Sequence, residues 1–530
     1  MENNLWKKEI VLVIIVLFIG ASVVPNVCGN SGVISVKDKE MVFGNVFTSG
    51  APEVWVDDDY YDGGYNDGHT WGYDAFDNIQ DGVDNVDDNG ILHVKEGIYD
   101  VFNVEGRNNL DIIGEDKPIV TGYQLAYDLS YPDYVYNVVF INNSDSIYLE
   151  GFHIIGTDPT PSGRDFSVFF QNSIGELNGC IIDANSIENM NGLAIRAISN
   201  SSLIVDNCLM EDYGRIAIYV KTGTTLNVFD CTLIGQIYNV YNWVNYGIEI
   251  EGIDEPCDGI IKGNEIYNHD NTQVAAWSSA GIIVDYWRYY GPQYNCKNST
   301  VLIENNDIYE NMHGVQIVPN ENIEIIYNEI HDNNYGAISE PWFDGTLYHN
   351  VDLNAILNWW GDPTGPYHPI ENPDGLGDEI YGDVLFDPWI TDISADIQCD
   401  GTLSWENVVP GGTVEGSFTI ENTGYLYSEL SWEIDEKPTW GIWTITPESG
   451  TGLTPAMGQI TVQVSVIAPP DKNKEFTGKI KIINTDDPSE YCEIPVYLKT
   501  PRNKAINTPF LNFLENHPNL FPILQHMLGL

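Results

Sequence analysis

The sequence predicts an all-β protein in which a parallel β-helix is followed by an antiparallel β-sandwich. A short motif recurs along residues 152–350, and most of its copies are followed by a segment in which apolar residues alternate. From about Ile393 the pattern changes to longer alternating segments separated by turn clusters. Alternation with a period of two residues is typical of β-strands. A recurring unit of this length predicts that its copies stack on one another.

The repeat is clearest where NDIYENMHG, beginning at Asn306, returns as NEIHDNNYG at Asn328. Equivalent anchor positions are Phe152, a last copy predicted at Asn350, and six cysteines or asparagines: Cys180, Cys208, Cys231, Asn264, Asn306 and Asn328. A unit this short cannot bury its apolar face alone, but stacked strands lie about 4.8 Å apart and share a core. We therefore expect the six residues to form a structural ladder inside the coil, with side-chain amides bonded to the backbone of the next turn.

The two ends of the coil, predicted over residues 51–390, differ from its middle. Phe76, Ile79, Val83 and Val86 recur at helical spacing, and Gly90 follows them. They predict a short amphipathic helix that covers the open strand edges at the start of the coil. At the far end, residues 358–390 are rich in Trp, Pro and Gly and contain no repeat. They predict a plug over the last turn.

The segments outside the coil predict export and a second domain. Residues 1–29 are typical of a signal peptide, because Lys7 and Lys8 precede an apolar run; an uncleaved anchor is the alternative, and residues 30–50 form a linker. Residues 391–500 predict the β-sandwich, in which a disulfide between Cys399 and Cys492 suits an exported domain. The tail, 501–530, is amphipathic. It either docks on the sandwich or, as we favour, attaches the protein to a membrane surface or a sorting partner.

The charge of the chain restricts its partners. Lys and Arg total 22 against 78 Asp and Glu, a formal net charge of −56. Such a surface repels nucleic acid, which is excluded as a partner, and attracts cations. The simpler interpretation is a soluble surface suited to saline surroundings. No motif identifies a cofactor, and calcium is the one candidate. The sequence makes no prediction about oligomeric state.

Several segments together resemble a known family. VWVDDDY, WGYDAFDNIQDGVDNV, LDIIGEDKP, the repeats and NWWGDPTGPYHP resemble the right-handed parallel β-helix proteins grouped with pectin lyases and with NosD-like proteins, in particular exported archaeal ones. LSWENVVPGGTVEGSFTIENTG and NKEFTGKIKIIN are similar to immunoglobulin-like sandwiches appended to archaeal exported proteins. The resemblance implies a right-handed coil and an immunoglobulin-like C-terminal module. It implies little about activity, because this superfamily hosts lyases, hydrolases, epimerases and proteins without known chemistry.

The catalytic motifs of that superfamily are missing from this sequence: the GHG and RIK set, DFIFG, DPHE and RxPxxR. A candidate site follows instead from alternation in the second strand of each repeat. With Leu193, Ile216, Ile248, Ile282 and Val315 taken as inward-facing, an outward column contains Arg196, Tyr219, Glu251, Asp285 and Val318. The column beside it contains Ala194, Ala217, Glu249, Ile283 and Gln316.

This register places Glu251 and Asp285 roughly 5 Å apart on consecutive turns. Two carboxylates at that separation bind calcium or act as acid and nucleophile on a glycoside. The candidate catalytic residues are therefore Glu251, Asp285 and Lys221. Neighbouring polar residues and loop aromatics, whose faces stack on sugar rings, are the candidate substrate-binding residues: Tyr219, Arg196, Glu249, Trp243, Tyr246, Trp287 and Tyr289.

We interpret the protein as an exported or cell-surface β-helix protein that binds a polysaccharide or cell-surface glycan without catalysis. The alternative is a polysaccharide lyase or glycoside hydrolase that uses the acidic site. The acidic neighbours also have a simpler interpretation as a solvated face. Maturation of a metal centre, suggested by the NosD resemblance, lacks a visible cluster of Cys, His and Met ligands.

Overall fold

The computed structural model describes residues 50–130, 133–157, 164–184, 192–236, 244–270, 279–285, 297–318, 322–340, 342–343, 348–349, 352–502, 512–513 and 516–517. The predicted signal peptide, most of the linker and most of the tail therefore lie outside the described residues. Within the described ranges, no helix has the length and apolar character needed to cross a membrane.

Three parallel sheets wind around one apolar interior, and each turn of the coil adds a strand to each sheet. The first sheet has thirteen described strands, in spatial order Ala75–Phe76, Ala51–Val56, Val86–Val94, Asn108–Gly114, Asp145–Glu150, Ile174–Asn178, Ser202–Asp206, Thr225–Phe229, Asp258–Lys262, Thr300–Glu304, Asn322–Ile326, Leu353–Asn354 and Val384–Leu385. The second has nine: Glu329–His331, Asp307–Tyr309, Glu265–Tyr267, Thr232–Ile234, Leu209–Glu211, Ile181–Asp183, His153–Ile155, Ile119–Thr121 and Ile98–Tyr99.

The third sheet has twelve described strands. Eleven are parallel: Pro366–Tyr367, Gly377–Tyr381, Tyr335–Ser339, His313–Ile317, Ala280–Asp285, Tyr246–Glu251, Ile216–Lys221, Gly192–Ile198, Asp165–Gln171, Asp133–Asn142 and Phe102–Glu105. The twelfth, Gln124–Asp128, pairs antiparallel with Asp133–Asn142 and forms a hairpin. Trp342–Phe343 and Tyr348–His349 make a separate antiparallel pair. The parallel pairing of successive repeats confirms the predicted β-helix.

The N-terminal end of the coil carries a shorter helix than the sequence predicts. The α-helix covers Ile79–Asn85, and the Asn78 side chain caps it by accepting a hydrogen bond from the Asp81 backbone N–H at 2.8 Å. Phe76 and Val86, assigned to the helix from their spacing, lie in strands instead. Val86 pairs with Ala51 in the first sheet, so sheet pairing ends the helix before Gly90. A 3₁₀ turn at Asn66–Gly68 precedes the helix.

The six predicted ladder residues lie in one buried column. The Asn264 backbone N–H donates to Asn306 Oδ1 at 3.0 Å, and the Asn306 N–H donates to Asn328 Oδ1 at 2.9 Å. The column continues to Asn358, whose Oδ1 accepts from the Asn328 N–H at 2.9 Å. The prediction of Asn350 as the next anchor was therefore wrong. The intervening turn is longer than the repeat, and Asn350 lies outside the described residues.

The segment predicted as a plug both extends and closes the coil. It supplies the last strands of the first and third sheets, Val384–Leu385 and Pro366–Tyr367 with Gly377–Tyr381. Trp360 is fully buried in the interior, where it lies against the last turn. An indole at this place covers core that would otherwise be open to water.

The C-terminal region consists of two sheets around their own apolar core. One contains Ile397–Asp400, Thr413–Asn422, Ile460–Ile467 and Ile442–Thr446. The other contains Leu403–Trp405, Tyr491–Lys499, Glu475–Asn484, Leu430–Glu436 and Ser449–Leu453, and a 3₁₀ turn lies at Pro455–Met457. Pairing is antiparallel except between Leu403–Trp405 and Tyr491–Lys499. A Cys399–Cys492 disulfide links the two sheets, with Cα atoms 5.8 Å apart.

Candidate functional site

The predicted site lies on the outer face of the third sheet, but its register differs from the prediction. One column contains Arg196, Tyr219, Glu249, Ile283 and Gln316, and another contains Lys221, Glu251 and Asp285. The pairing of Glu251 with Asp285 on neighbouring strands agrees with the prediction. In the strands that carry Arg196 and Tyr219, the observed register differs from the predicted one by two residues. Glu249, and not Glu251, therefore lies next to Tyr219 on the following strand. Ile195 and Ile218, not Leu193 and Ile216, pair in line with Ile248 on the inward side.

A second apolar cluster covers this face, which explains why its polar residues are buried. The cluster includes Phe166, Phe169, Leu193, Ile216, Val244, Tyr246 and Ile283, and Ala126 of the hairpin joins it. Tyr246, predicted to lie in a ligand-binding loop, is instead the first residue of a strand and is buried in this cluster. Trp243, Trp287 and Tyr289 lie outside the described residues.

Arg196 connects the hairpin to the third sheet. Its Nε and Nη2 donate to Asp128 Oδ2 at 3.1 and 3.0 Å, and Nη2 also donates to Ser130 Oγ at 2.8 Å. Its guanidinium lies 4.6 Å from the centre of the Tyr219 ring. Burial raises the pKa of Asp128, but Arg196 and two hydrogen bonds from Ser130 outweigh it and lower the pKa below its ordinary value. This buried ion pair fixes the hairpin on the coil.

The next two turns continue the charged network. The Tyr219 hydroxyl donates a hydrogen bond to Glu251 Oε2, and Lys221 stands opposite Glu251 in the register. Burial, followed by repulsion from Arg196, lowers the pKa of Lys221. Asp285 stands beside Glu251 on the following strand. The three candidate catalytic residues are thus adjacent, and the Glu251 carboxylate is already engaged by a phenol.

Glu249 is a deeply buried acid of this network. It is 2 % exposed, and the nearest cation is Arg215, whose Nη2 lies 4.0 Å from Glu249 Oε2. Burial raises the pKa of Glu249 to about 7, against the opposing effect of Arg215. Among the described residues, four acids, Asp128, Glu249, Glu251 and Asp285, share this region with Arg196, Arg215 and Lys221.

Sequence reasoning did not find the exposed surface beside this network. On the hairpin, the side chains on one face are large and apolar and 43–64 % exposed: Tyr123, Leu125, Tyr127, Leu129 and Tyr134. We call these five residues the tyrosine face. The alternate residues of the same strand, Ala126 and Asp128, are buried against the coil. Tyr127 packs edge-on against Tyr134, with ring centres 5.4 Å apart. Tyr123 packs in the same way on Tyr136.

Among the described residues, one group of three acidic side chains lies close enough together to bind a metal ion. These are Asp57, Asp58 and Asp59, which follow the first strand of the coil. Exposed carboxylates of this kind are common without an ion, and no further feature here points to one. Calcium binding at Glu251 and Asp285 stays a prediction.

Comparisons with known proteins concern the fold. Residues 235–350 match the family model described as "Right handed beta helix region", whereas no curated protein matches the sequence. The enzymatically active domain of tailspike protein 2 of bacteriophage CBA120 is 10% identical, with 82% of this chain and 74% of that chain covered and a TM-score of 0.34. A tailspike protein of E. coli bacteriophage HK620, solved in complex with a hexasaccharide, is 11% identical, with 72% and 82% covered and a TM-score of 0.27.

The C-terminal region has its own structural similarity. A PapD-like domain of human CEP192 is 13% identical, and the match covers 23% of this chain and 95% of that chain with a TM-score of 0.17. Similarity at these levels carries no information about ligand or activity. The family match and the three wound sheets together identify an all-β protein built on a right-handed parallel β-helix, with antiparallel sheets at its C-terminal end.

Proposed function

We propose that this is an exported surface protein that binds glycans without catalysis, through the tyrosine face and the adjoining outer face of the third sheet. The exposure of five large apolar side chains on one face of the hairpin carries the proposal. Contiguous apolar patches on a folded protein mark interaction sites. Export is supported by residues 1–29 and by the Cys399–Cys492 disulfide, because such bonds persist in oxidising compartments.

The chemistry of the tyrosine face favours a sugar. A tyrosine offers an apolar ring and a polar hydroxyl together, and a pyranose likewise combines apolar C–H faces with hydroxyls at its edges. The hairpin is held by the buried Asp128–Arg196 ion pair, so the rings are presented on a fixed support. Nucleic acid, which also stacks on aromatic rings, is disfavoured by the net charge of −56.

The proposal is tested by replacing Tyr127 and Tyr134 together with alanine. We expect retention of the protein on its preferred polysaccharide, chosen from a panel of neutral and acidic ones, to fall by at least about tenfold. The melting temperature should change little, because both side chains are exposed. Tyr491→Ala, an equally exposed tyrosine on the C-terminal sheets, is the matched control. Unchanged retention of the double variant would exclude the tyrosine face as the binding surface.

The second candidate, a polysaccharide lyase or glycoside hydrolase, is favoured by one observation. The Tyr219 hydroxyl donates to the Glu251 carboxylate, Lys221 stands opposite Glu251 in the register, and burial lowers the pKa of Lys221, which is the direction that a general base needs. An enzyme would release unsaturated or reducing ends from one polysaccharide of the panel, and Glu251→Gln would stop the release without weakening binding. We expect no release by the unaltered protein. Release that Glu251→Gln abolishes would overturn the non-catalytic proposal.

A further inference from the structure

A stack of aromatic rings runs along the outer face of the second sheet and stops abruptly. Tyr267, Tyr309 and His331 occupy the same position on three successive turns. The Tyr267 and Tyr309 rings are 4.9 Å apart with 5° between their planes, and the Tyr309 and His331 rings are 5.3 Å apart with 7°. On the next turn this position is Gly361, because Trp359 pairs with Glu329 two residues earlier. Gly361 has no side chain to continue the stack, so the outer face of the His331 ring is left uncovered by that turn.

A groove of about 280 Å³ lies where the stack stops. We call it the terminal groove; its lining includes Glu329, His331, Asp332, Trp359, Leu376 and Asp378. The exposed side chain of Leu376 forms an apolar part of the wall. The volume is close to the lower limit of small-molecule sites, about 300 Å³. The Gly361 backbone lies close to His331. A Cβ added at Gly361 would lie 3.1 Å from the His331 Cβ. The glycine thus helps to keep the groove open.

The Trp359 indole is available to a ligand. It is half-buried, and no described residue engages it in a ring contact or a hydrogen bond. Trp359 stands beside Glu329 in the register, so an aromatic plane and a carboxyl group point outward from neighbouring turns. An indole plane next to hydrogen-bonding acids suits a sugar ring, whose C–H face is apolar and whose hydroxyls donate to carboxylates.

The charges of the groove select among sugars. Both His331 nitrogens are paired, Nδ1 with Asp332 at 2.9 Å and Nε2 with Asp307 at 3.0 Å, so its positive charge is locally compensated. Burial, together with the charge of Asp307, raises the pKa of Glu329. Burial also raises the pKa of Asp378 to about 6. Asp307, Asp332 and Asp378 outnumber the single positive charge of His331, so the groove is acidic overall at neutral pH and repels the carboxylates of uronic acids.

We propose that the terminal groove is a binding site for sugar rings of a neutral glycan, with Trp359 as the stacking platform and Glu329 as a hydroxyl acceptor. This site lies on the second sheet, and its function does not depend on the tyrosine face on the third. Two separate sites for one class of glycan would let the protein hold a chain at two points, which raises avidity without further contacts.

The test is calorimetric titration of the full chain with two oligosaccharides of equal length: a neutral glucan and a uronic acid oligomer. We expect the neutral oligomer to bind and the uronic acid oligomer not to. Trp359→Ala and Glu329→Gln should each weaken neutral binding by at least about tenfold, whereas Trp359→Tyr, which keeps a ring, should weaken it less. Glu324→Gln, an exposed glutamate on the neighbouring first sheet, is the matched control.

The outcomes separate this site from the tyrosine face. The Tyr127→Ala, Tyr134→Ala double variant should keep groove binding even where its retention on polysaccharide is lost. Equal binding by Trp359→Ala and the unaltered protein, tighter binding of the uronic acid oligomer, or no binding of the neutral oligomer would each overturn the proposal. Circular dichroism and the melting temperature establish that the variants are folded. If Trp359→Ala does not fold, the binding of Glu329→Gln tests the proposal instead.

Discussion

At the scale of single residues, the asparagine ladder shows how one side chain serves several turns. Asn328 is fully buried, and its Oδ1 accepts from the backbone N–H and from Nδ2 of Asn306, both at 2.9 Å. Its Nδ2 donates to the Ile303 backbone oxygen at 2.9 Å. The Asn306 N–H lies at the bend between the strands Thr300–Glu304 and Asp307–Tyr309, outside the paired residues of either sheet. An amide, with both acceptor and donor, suits this position.

Replacing Asn328 with Asp tests the ladder. The carboxylate keeps an acceptor but loses the donor to the Ile303 oxygen and brings a charge into the interior, so we expect a loss of about 3 kcal/mol at neutral pH. The free energy of unfolding in denaturant measures the loss. Part of it should return at acid pH, where the introduced carboxyl is protonated. Asn322→Asp, at an exposed strand position, is the control. Equal stability of both variants would contradict the ladder.

At the scale of elements, the short strand Glu329–His331 is held to Asp307–Tyr309 by more than its backbone bonds. Tyr309 stacks on His331, and His331 is paired with Asp307. The hydrogen bond with Asp307, added to the bond with Asp332, raises the pKa of His331 from 6.5 to about 9. A raised histidine pKa means that the folded protein holds this proton more tightly than the unfolded chain does.

The stabilisation from His331 should therefore depend on pH in one direction. It is present in full below pH 6.5, and it is lost as the pH rises toward about 9. His331→Gln keeps a polar side chain without a titrating proton. We expect the difference in melting temperature between the unaltered protein and this variant to shrink across that interval. A difference that stays constant or grows from pH 6.5 to 9 would contradict the pairing with Asp307.

At the scale of the whole molecule, two tyrosines join the C-terminal sheets to the coil. The Tyr425 hydroxyl donates to the Tyr327 backbone oxygen at 3.0 Å, and the Tyr427 hydroxyl donates to Glu304 Oε1 at 2.6 Å. Lys262 bonds the same glutamate at 3.1 Å and lies 5.7 Å from the centre of the Tyr427 ring. Each region has its own apolar core, so this contact couples two units that are separately stabilised.

Replacing Tyr425 and Tyr427 together with alanine should uncouple the two regions. We expect the variant to unfold in two calorimetric transitions that lie further apart than in the unaltered protein, because neither core is touched while the shared contact is lost. Tyr491→Ala, on the C-terminal sheets away from this contact, should leave the separation unchanged. An unaltered thermogram of the double variant would show that other contacts join the regions.

The sequence alone determined the architecture, because every turn of the coil must meet the same packing and hydrogen-bonding requirements. An apolar residue two positions after each anchor and an Asn or Cys at the anchor both follow from stacking, so the ladder and the parallel sheets were predictable. The proximity of Glu251 and Asp285 was predictable for the same reason. The register of Arg196 and Tyr219 was not. Leu193 and Ile216 pack in the outer cluster, on the same side as Arg196 and Tyr219 three residues later, so strict alternation is interrupted in these strands and cannot give their register.

Only the tertiary structure decided which surfaces are exposed. In YQLAYDL, from Tyr123 to Leu129, one alternating set is Tyr, Leu, Tyr and Leu and the other is Gln, Ala and Asp, so alternation alone would bury the first set, which the structure exposes. The coil decides it, because Asp128 bonds Arg196 of a distant strand and turns Ala126 inward. The terminal groove likewise depends on Gly361 standing one turn beyond His331, a neighbour set by a loop of irregular length. The residue pattern within a turn shows which of its side chains must be buried. The contacts between distant segments form only when the chain is wound into the coil.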